Sequence, residues 1–425
     1  MYLASIQRRL ASAFGGEWRR GFMRSGILTG LLLAWIVVAL AFAYRERGRG
    51  HLHKLESRIV TERQDAPVPR PGGQEAIVLT RSRLAGASTP EFLSLTLLPG
   101  RGMNLLQIQA FLPDKGEVGL LDAPTVEQAE AAMNGRGADA NGGASLAMGS
   151  PFEVPWAGRI LGAESAGRVT ALWRGHLLSL PVVGTTSEAR AGLLLARPAD
   201  SSDTAGMPDG GQAEATFSAA DFGAHWPSKT DVKVTALLTS RYIQLTVTAH
   251  NTGDAPEPIG IGWAPRFVLP GARAQMRLRI PGEMRLLKDR VSGAPTGALQ
   301  PTAGTAYDFL GREGALLGSL DLDETFVRLR QDFLDSGPVT EIRDPAGNYG
   351  LRVTTLSNAI RAIHVSARPD AKYISIEPRF NYDDPFGHEW SREEDTGMAV
   401  LQPGQTANWQ IRLELFSLVA PAAPF

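Results

Sequence analysis

From about Glu75 onward the apolar residues of this chain recur at every second position, and that period most restricts its fold. Ile243, Leu245, Val247 and Ala249 alternate with Gln244, Thr246, Thr248 and His250. Trp409, Ile411, Leu413 and Leu415 alternate with Gln410, Arg412 and Glu414, and the run 91–98 ends at Pro99-Gly100 before a second run, 104–111. A strand turns successive side chains to opposite faces, so each such segment buries one face and wets the other. Many short runs of this kind, separated by turn clusters, predict an all-β fold built as a large antiparallel sandwich. The 46 Gly and 28 Pro favour turns over long helices. At 425 residues the chain exceeds an average domain, but all-β units often run past ~200 residues undivided.

A formal net charge of −1 gives no electrostatic basis for nucleic acid as a partner. The absence of cysteine excludes disulfides, thiol nucleophiles and thiolate metal sites, and leaves the compartment open.

The N-terminus carries a different signal. Residues 25–44 form an uncharged run between Arg24 and Arg45, and twenty helical residues span about 30 Å, the hydrocarbon thickness of a bilayer. This predicts a transmembrane helix or signal anchor behind a basic segment, 1–24. A cleaved signal peptide is the alternative, since Ala39-Leu-Ala41 and Ala41-Phe-Ala43 resemble cleavage sites, although the 24 preceding residues are long for one. A buried core helix is a third reading. Arg8, Arg9, Arg19, Arg20 and Arg24 before the run, against Glu17, favour an inside N-terminus and a membrane-anchored, extracytoplasmic (periplasmic) main domain. Residues 45–75, charged and then proline-rich, read as a stalk, and 76–420 as the β domain. Within it, 125–149, with a short helix over 126–133, and the Pro/Asp/Ser/Gly stretch 198–215 read as surface insertions.

The segment Tyr373-Ile-Ser-Ile-Glu-Pro378 alternates so that Ile374 and Ile376 face inward and Glu377 the other way. It reads either as a surface strand ending in an exposed Glu or as a rigid mount for a carboxylate that accepts a ligand proton. Other segments bear on the choice. Gly149–Ile160 contains Pro155-Trp-Ala-Gly-Arg-Ile160; Asn251–Phe267 ends Trp263-Ala-Pro-Arg-Phe267; Tyr307-Asp-Phe309 precedes Leu322-Asp-Glu-Thr-Phe326; and Leu401-Gln-Pro-Gly404 precedes the last strand. With the Glu-Pro element these resemble, in order and over roughly residues 75–418, motifs of the aldose 1-epimerase (galactose mutarotase) family.

The resemblance implies a β-supersandwich with a sugar-binding groove across one sheet. It implies an isomerase that opens and recloses the sugar ring by acid–base catalysis with no metal or cofactor. Glu377 would be the catalytic base, and Arg159 and Asp323 would hold sugar hydroxyls. Trp263 and Trp390, beside the motif segments, would stack on the sugar ring. The chain departs from the family at both histidines: Ala264 stands in the His-Pro-x-Phe position, and Arg190-Ala-Gly-Leu193 falls where the other is expected. His225 and His388 are substitutes to weigh against plain loop histidines. The acidic residues Asp383, Asp384, Glu389, Glu393, Glu394 and Asp395 read as a solvated loop, with Ca²⁺ binding or groove lining as alternatives. The expected partners are therefore a sugar or glycan and a membrane. Enzymatic activity stands open against a non-catalytic carbohydrate-binding envelope protein, and a structural envelope protein is a third reading.

Overall fold

A computed structural model describes residues 35–38, 40, 67–84, 88–183, 188–269 and 271–419. The chain divides into two units, Met1–Val68 and Pro69–Phe425, and the fold below is that of the second. Most of the expected membrane segment 25–44 lies outside the described residues. Among those that are described, no helix is long and apolar enough to cross a membrane. Residues 35–38 and 40 are helical, with exposed apolar side chains.

Among the described residues the strands form two large antiparallel sheets and several small ones. The nine-stranded sheet runs in the order Ser201–Met207, Gly210–Ala220, Thr230–Leu238, Tyr242–Asn251, Thr406–Phe416, Tyr349–Thr355, Val339–Asp344, Arg277–Arg279, Ala315–Leu316. The eight-stranded sheet runs Pro295–Pro301, Gly282–Lys288, Leu322–Leu329, Ala362–Ala367, Tyr373–Arg379, Gly262–Trp263, Phe152–Glu153, and Arg266–Val268 also pairs with Tyr373–Arg379. The alternation read in sequence places the core: Ile243, Leu245, Val247, Ala249, Trp409, Ile411 and Leu413 are all buried. Trp409 links the two sheets. Its ring meets Phe152 edge-on at 6.3 Å, and its Nε1 donates to the Pro378 carbonyl at 3.1 Å.

The two expected insertions fold differently. Residues 201–207 and 210–220 form a β-hairpin rather than a loop. Ala213, Ala215, Phe217 and Ala219 alternate into the core, and a period of two carried mostly by alanine is faint in composition. Asp209 in the hairpin turn accepts from Ser240 Oγ at 2.7 Å. The helix Val126–Ala132 starts at a capping box between Thr125 and Gln128. It packs Ala129 and Met133 on Leu98 and Leu106, while buried Asp139 pairs with Arg101 at 2.6 Å.

Candidate functional site

Residues 362–367 and 373–379 form one hairpin, closed by Arg368-Pro-Asp-Ala-Lys372. Its register sets Ser366 opposite Ser375, His364 opposite Glu377 and Ala362 opposite Arg379. The next strand sets Asp323 opposite Ser366 and Thr325 opposite His364. On the other flank Gly262 lies between Arg379 and Glu153. Paired residues share a face, so Thr325, His364 and Glu377 form one row across three strands.

Glu377 is 9% exposed and on the expected strand. Ser375 Oγ donates to its Oε1 at 2.7 Å, and Arg379 donates to its Oε2. Burial works against its ionisation, but Arg379, His364 and Ser375 prevail and hold the carboxyl below its ordinary value. Arg379 also donates to Asp383 at 2.9 Å, and its Nε lies 3.8 Å from Glu153. Asp383 is likewise held well below the ordinary range, burial being outweighed by Arg379 with His364 and Lys288. Glu153 responds the other way. Its burial dominates, Arg379 only partly offsets it, Glu377 adds to it, and the carboxyl is pushed up to about 7.

His364 joins the buried cluster to the surface. Thr325 Oγ1 donates to Asp383 Oδ2 at 3.2 Å and lies 3.0 Å from His364 Nδ1. A hydroxyl that has given its hydrogen to a carboxylate can only accept from the imidazole. The other nitrogen, Nε2, is 3.3 Å from Asp323 Oδ1. One nitrogen thus faces a hydroxyl and the other a carboxylate that accepts its hydrogen. Asp323 keeps its side chain 70% exposed. Its hydrogen bond with His364, reinforced by Lys288 at 3.1 Å, holds its carboxyl far below the ordinary value.

The expected site residues therefore separate. Glu377 and Asp323 come together on one face, bridged by His364. Arg159 stands nearby, its backbone oxygen accepting from Asp384 at 2.8 Å. Its guanidinium, however, is turned to Glu188 and the Gly293 carbonyl, not to Glu377. Trp390 packs half-buried on the same sheet face with Leu286, Val327, Ala362 and Tyr382, and its Nε1 donates to the Asp384 carbonyl at 2.7 Å.

Trp263 is a correction: it is 0% exposed and donates to the Ser150 carbonyl at 3.1 Å. Gly262 occupies the site face, so its neighbour in the strand must point into the core. The two substitute histidines also lie elsewhere. His225 Nδ1 is 2.6 Å from the Ser179 carbonyl, and the side chain of His388 is fully exposed.

The acidic segment is not a solvated loop at its start. Asp383 and Asp384 are buried, and burial, with Glu389 adding to it against the Leu161 N–H, pushes Asp384 up to about 7. Farther on, Glu394 pairs with Arg328 and Asp395 with Arg361. Among the described residues no group of His, Asp or Glu is arranged to hold a metal ion.

Sequence reasoning missed His364, Thr325, Arg379 and Glu153 as members of the site. One signal was present for His364. Residue 364 lies four positions before Arg368-Pro-Asp-Ala-Lys372 and 377 lies five after it, so a hairpin there brings the two within one position of pairing, and the register makes them partners.

No family model and no curated protein matches the chain. Solved structures do. A galactose mutarotase-like protein from Clostridium acetobutylicum superposes with a TM-score of 0.63 at 16% identity, over 81% of this chain and 99% of that one. The GalM/aldose epimerase homologue from C. elegans gives 0.57 at 17% identity, over 81% and 99%. Galactose 1-epimerase from Lactobacillus acidophilus NCFM gives 0.55 at 15% identity, over 81% and 99%. At these identities the likeness is one of architecture, and this chain has the galactose mutarotase-like fold.

Proposed function

We propose that the chain binds a sugar on the Glu377 face of the eight-stranded sheet and interconverts its anomers by acid–base ring opening. The observation that carries this reading is the row Thr325–His364–Glu377, with Asp323 on the exposed side of the imidazole. Glu377 takes the proton of the anomeric hydroxyl while His364 protonates the ring oxygen. The bond from C1 to the ring oxygen breaks, leaving an open-chain aldehyde. After rotation about C1–C2 the ring recloses: the hydroxyl returns its proton to His364, and the carbonyl oxygen recovers one from Glu377. Asp323 and Lys288, at the open edge of the row, accept from and donate to sugar hydroxyls. Paired acid–base groups of this kind contribute about 10²–10⁴-fold. The low basicity of Glu377 places the expected gain at the lower end.

The test is anomer exchange measured by NMR on a panel of aldoses and oligosaccharides. The full chain is expected to exceed the spontaneous rate, and Glu377→Gln and His364→Asn to lose the excess. A protein that matches the spontaneous rate on every sugar refutes the catalytic reading. One observation favours a second reading, a non-catalytic glycan-binding protein: both oxygens of Glu377 are already engaged, by Ser375 and Arg379. Saturable glycan binding that Asp323→Ala removes, with no added exchange, would support it.

The reading also includes an N-terminal membrane anchor that carries the domain outside the cytoplasm. The uncharged run 25–44 supports it, as do the exposed apolar side chains at helical positions 35–38 and 40. Release of the full chain from membranes by high salt alone would overturn the anchor.

A further inference from the structure

We infer that Glu153 is a positioning residue that sets the basicity of Glu377 through the guanidinium they share. The inference rests on the catalytic reading of Glu377 but has a test of its own. Three carboxylates, from Glu377, Asp383 and Glu153, surround the one guanidinium of Arg379, and all four side chains are nearly inaccessible to water. Arg379, even with His364 beside Glu377 and Asp383, does not balance three buried anions, so one carboxyl retains its proton. Contacts identify which one. Glu377 and Asp383 each accept directly from Arg379 and from a hydroxyl, Ser375 or Thr325. Among the described residues Glu153 accepts only from the Gly158 N–H, at 3.2 Å, and stands 3.8 Å from Arg379 Nε, which makes no hydrogen bond with any of them.

Gly262 makes the meeting possible. It lies between Glu153 and Arg379 on the same face, and a Cβ there would come 2.8 Å from Glu153 Oε2 and 3.3 Å from Arg379 Cγ. The charged groups acting on Glu153 are Arg379 and Glu377 from the 373–379 strand and Arg190 from the 189–190 strand. Asp383, on the far side of Arg379, competes for the same guanidinium.

The consequence has a definite sign. While Glu153 is neutral, Arg379 serves only Glu377 and Asp383, and Glu377 is a weak base. Once Glu153 ionises, near pH 7, the same guanidinium is divided three ways and a further anion faces Glu377. Its proton affinity then rises, and proton abstraction quickens. The anomer exchange rate is therefore expected to rise with pH up to about 7 and then level.

The experiment compares the full chain with Glu153→Gln and Glu377→Gln. In an infrared pH titration the wild type should show a protonated carboxyl band that disappears near pH 7. Asp384 and Glu257 contribute to the same band, so Glu153→Gln should lack only the Glu153 component, read as the wild-type-minus-variant difference. Glu377→Gln should move that component's midpoint to lower pH because one neighbouring anion is gone. Wild-type and Glu153→Gln spectra that superimpose, or a midpoint unmoved in Glu377→Gln, overturn the inference. In anomer exchange, the rising limb of up to tenfold per pH unit should be absent from Glu153→Gln. A limb unchanged in that variant overturns the inference while leaving the catalytic reading standing. If no protein in the set accelerates exchange, the catalytic reading fails and the infrared titration alone decides the charge coupling. Glutamine keeps an oxygen for the Gly158 N–H. Should Glu153→Gln not fold, the Glu377→Gln spectra still decide: one component of the band should shift while those of Asp384 and Glu257 stay.

Discussion

Replacing Gly262 by alanine tests how tightly the charged cluster is built. Gly262 is not among the positive-φ positions, so its backbone accepts an L-residue without strain. The whole cost is therefore steric. An added Cβ would lie 2.7 Å from Ala157 Cβ, 2.8 Å from Glu153 Oε2 and 3.3 Å from Arg379 Cγ. Ala157 is 0% exposed and has no flexible end to move. Its N–H and carbonyl are also tied to the Asn381 amide, at 3.0 and 2.8 Å.

Overpacking of a well-filled interior costs about 1–3 kcal/mol, and the reduced freedom of the unfolded chain returns about 0.4–1 kcal/mol. A net loss of about 1–2 kcal/mol in Gly262→Ala is expected. Ala157→Gly removes the closest contact, so the double variant should recover part of that loss and show non-additivity of at least about 0.5 kcal/mol. The assay is chemical denaturation of the four proteins at one pH, with unchanged slopes as the condition for comparing midpoints. A Gly262→Ala protein as stable as the wild type would refute the close packing over this glycine, and strictly additive effects would refute its contact with Ala157.

Three further outcomes follow from the geometry. Arg379→Met leaves Glu377, Asp383 and Glu153 without their common cation and should destabilise by about 3–5 kcal/mol at neutral pH, with the loss shrinking as acid neutralises the carboxylates; denaturation at several pH values reads this. Thr325→Val removes the hydroxyl between Asp383 and His364 Nδ1 and should cost about 1–3 kcal/mol, read as a lowered denaturation midpoint. Glu257 is buried, with Thr230 Oγ1 donating at 2.7 Å, and burial pushes its carboxyl from 4.5 up to about 7. The folded protein thus keeps this proton longer than the unfolded chain, and the associated stability falls as pH rises from about 4.5 to about 7. Thermal midpoints should show Glu257→Gln gaining on the wild type at pH 8 but not at pH 4.

The site was legible where strand parity alone decides orientation. Ile374 and Ile376 point inward, and that places Glu377 on the opposite face without reference to any partner. Trp263 failed because its role was taken from the neighbouring motif rather than from parity: with Gly262 facing Glu153 and Arg379, the indole has only the core to fill. Asp383 and Asp384 failed for a different reason. A run of acidic residues is ordinarily solvated, and only a buried guanidinium and the Leu161 N–H, both distant in sequence or hidden by the turn, allow these two to be inside.

Local chemistry, which the chain carries residue by residue, determined the all-β architecture, the inward rows of the long strands and the orientation of Glu377. A period of two needs no knowledge of what a strand lies against. The grouping of Glu153, Thr325, His364, Glu377, Arg379 and Asp383 around a single cation was decided by the tertiary structure. Side chains from separate strands meet only when register is set between them, and a charge shared among three acids exists only after water has been excluded from all of them.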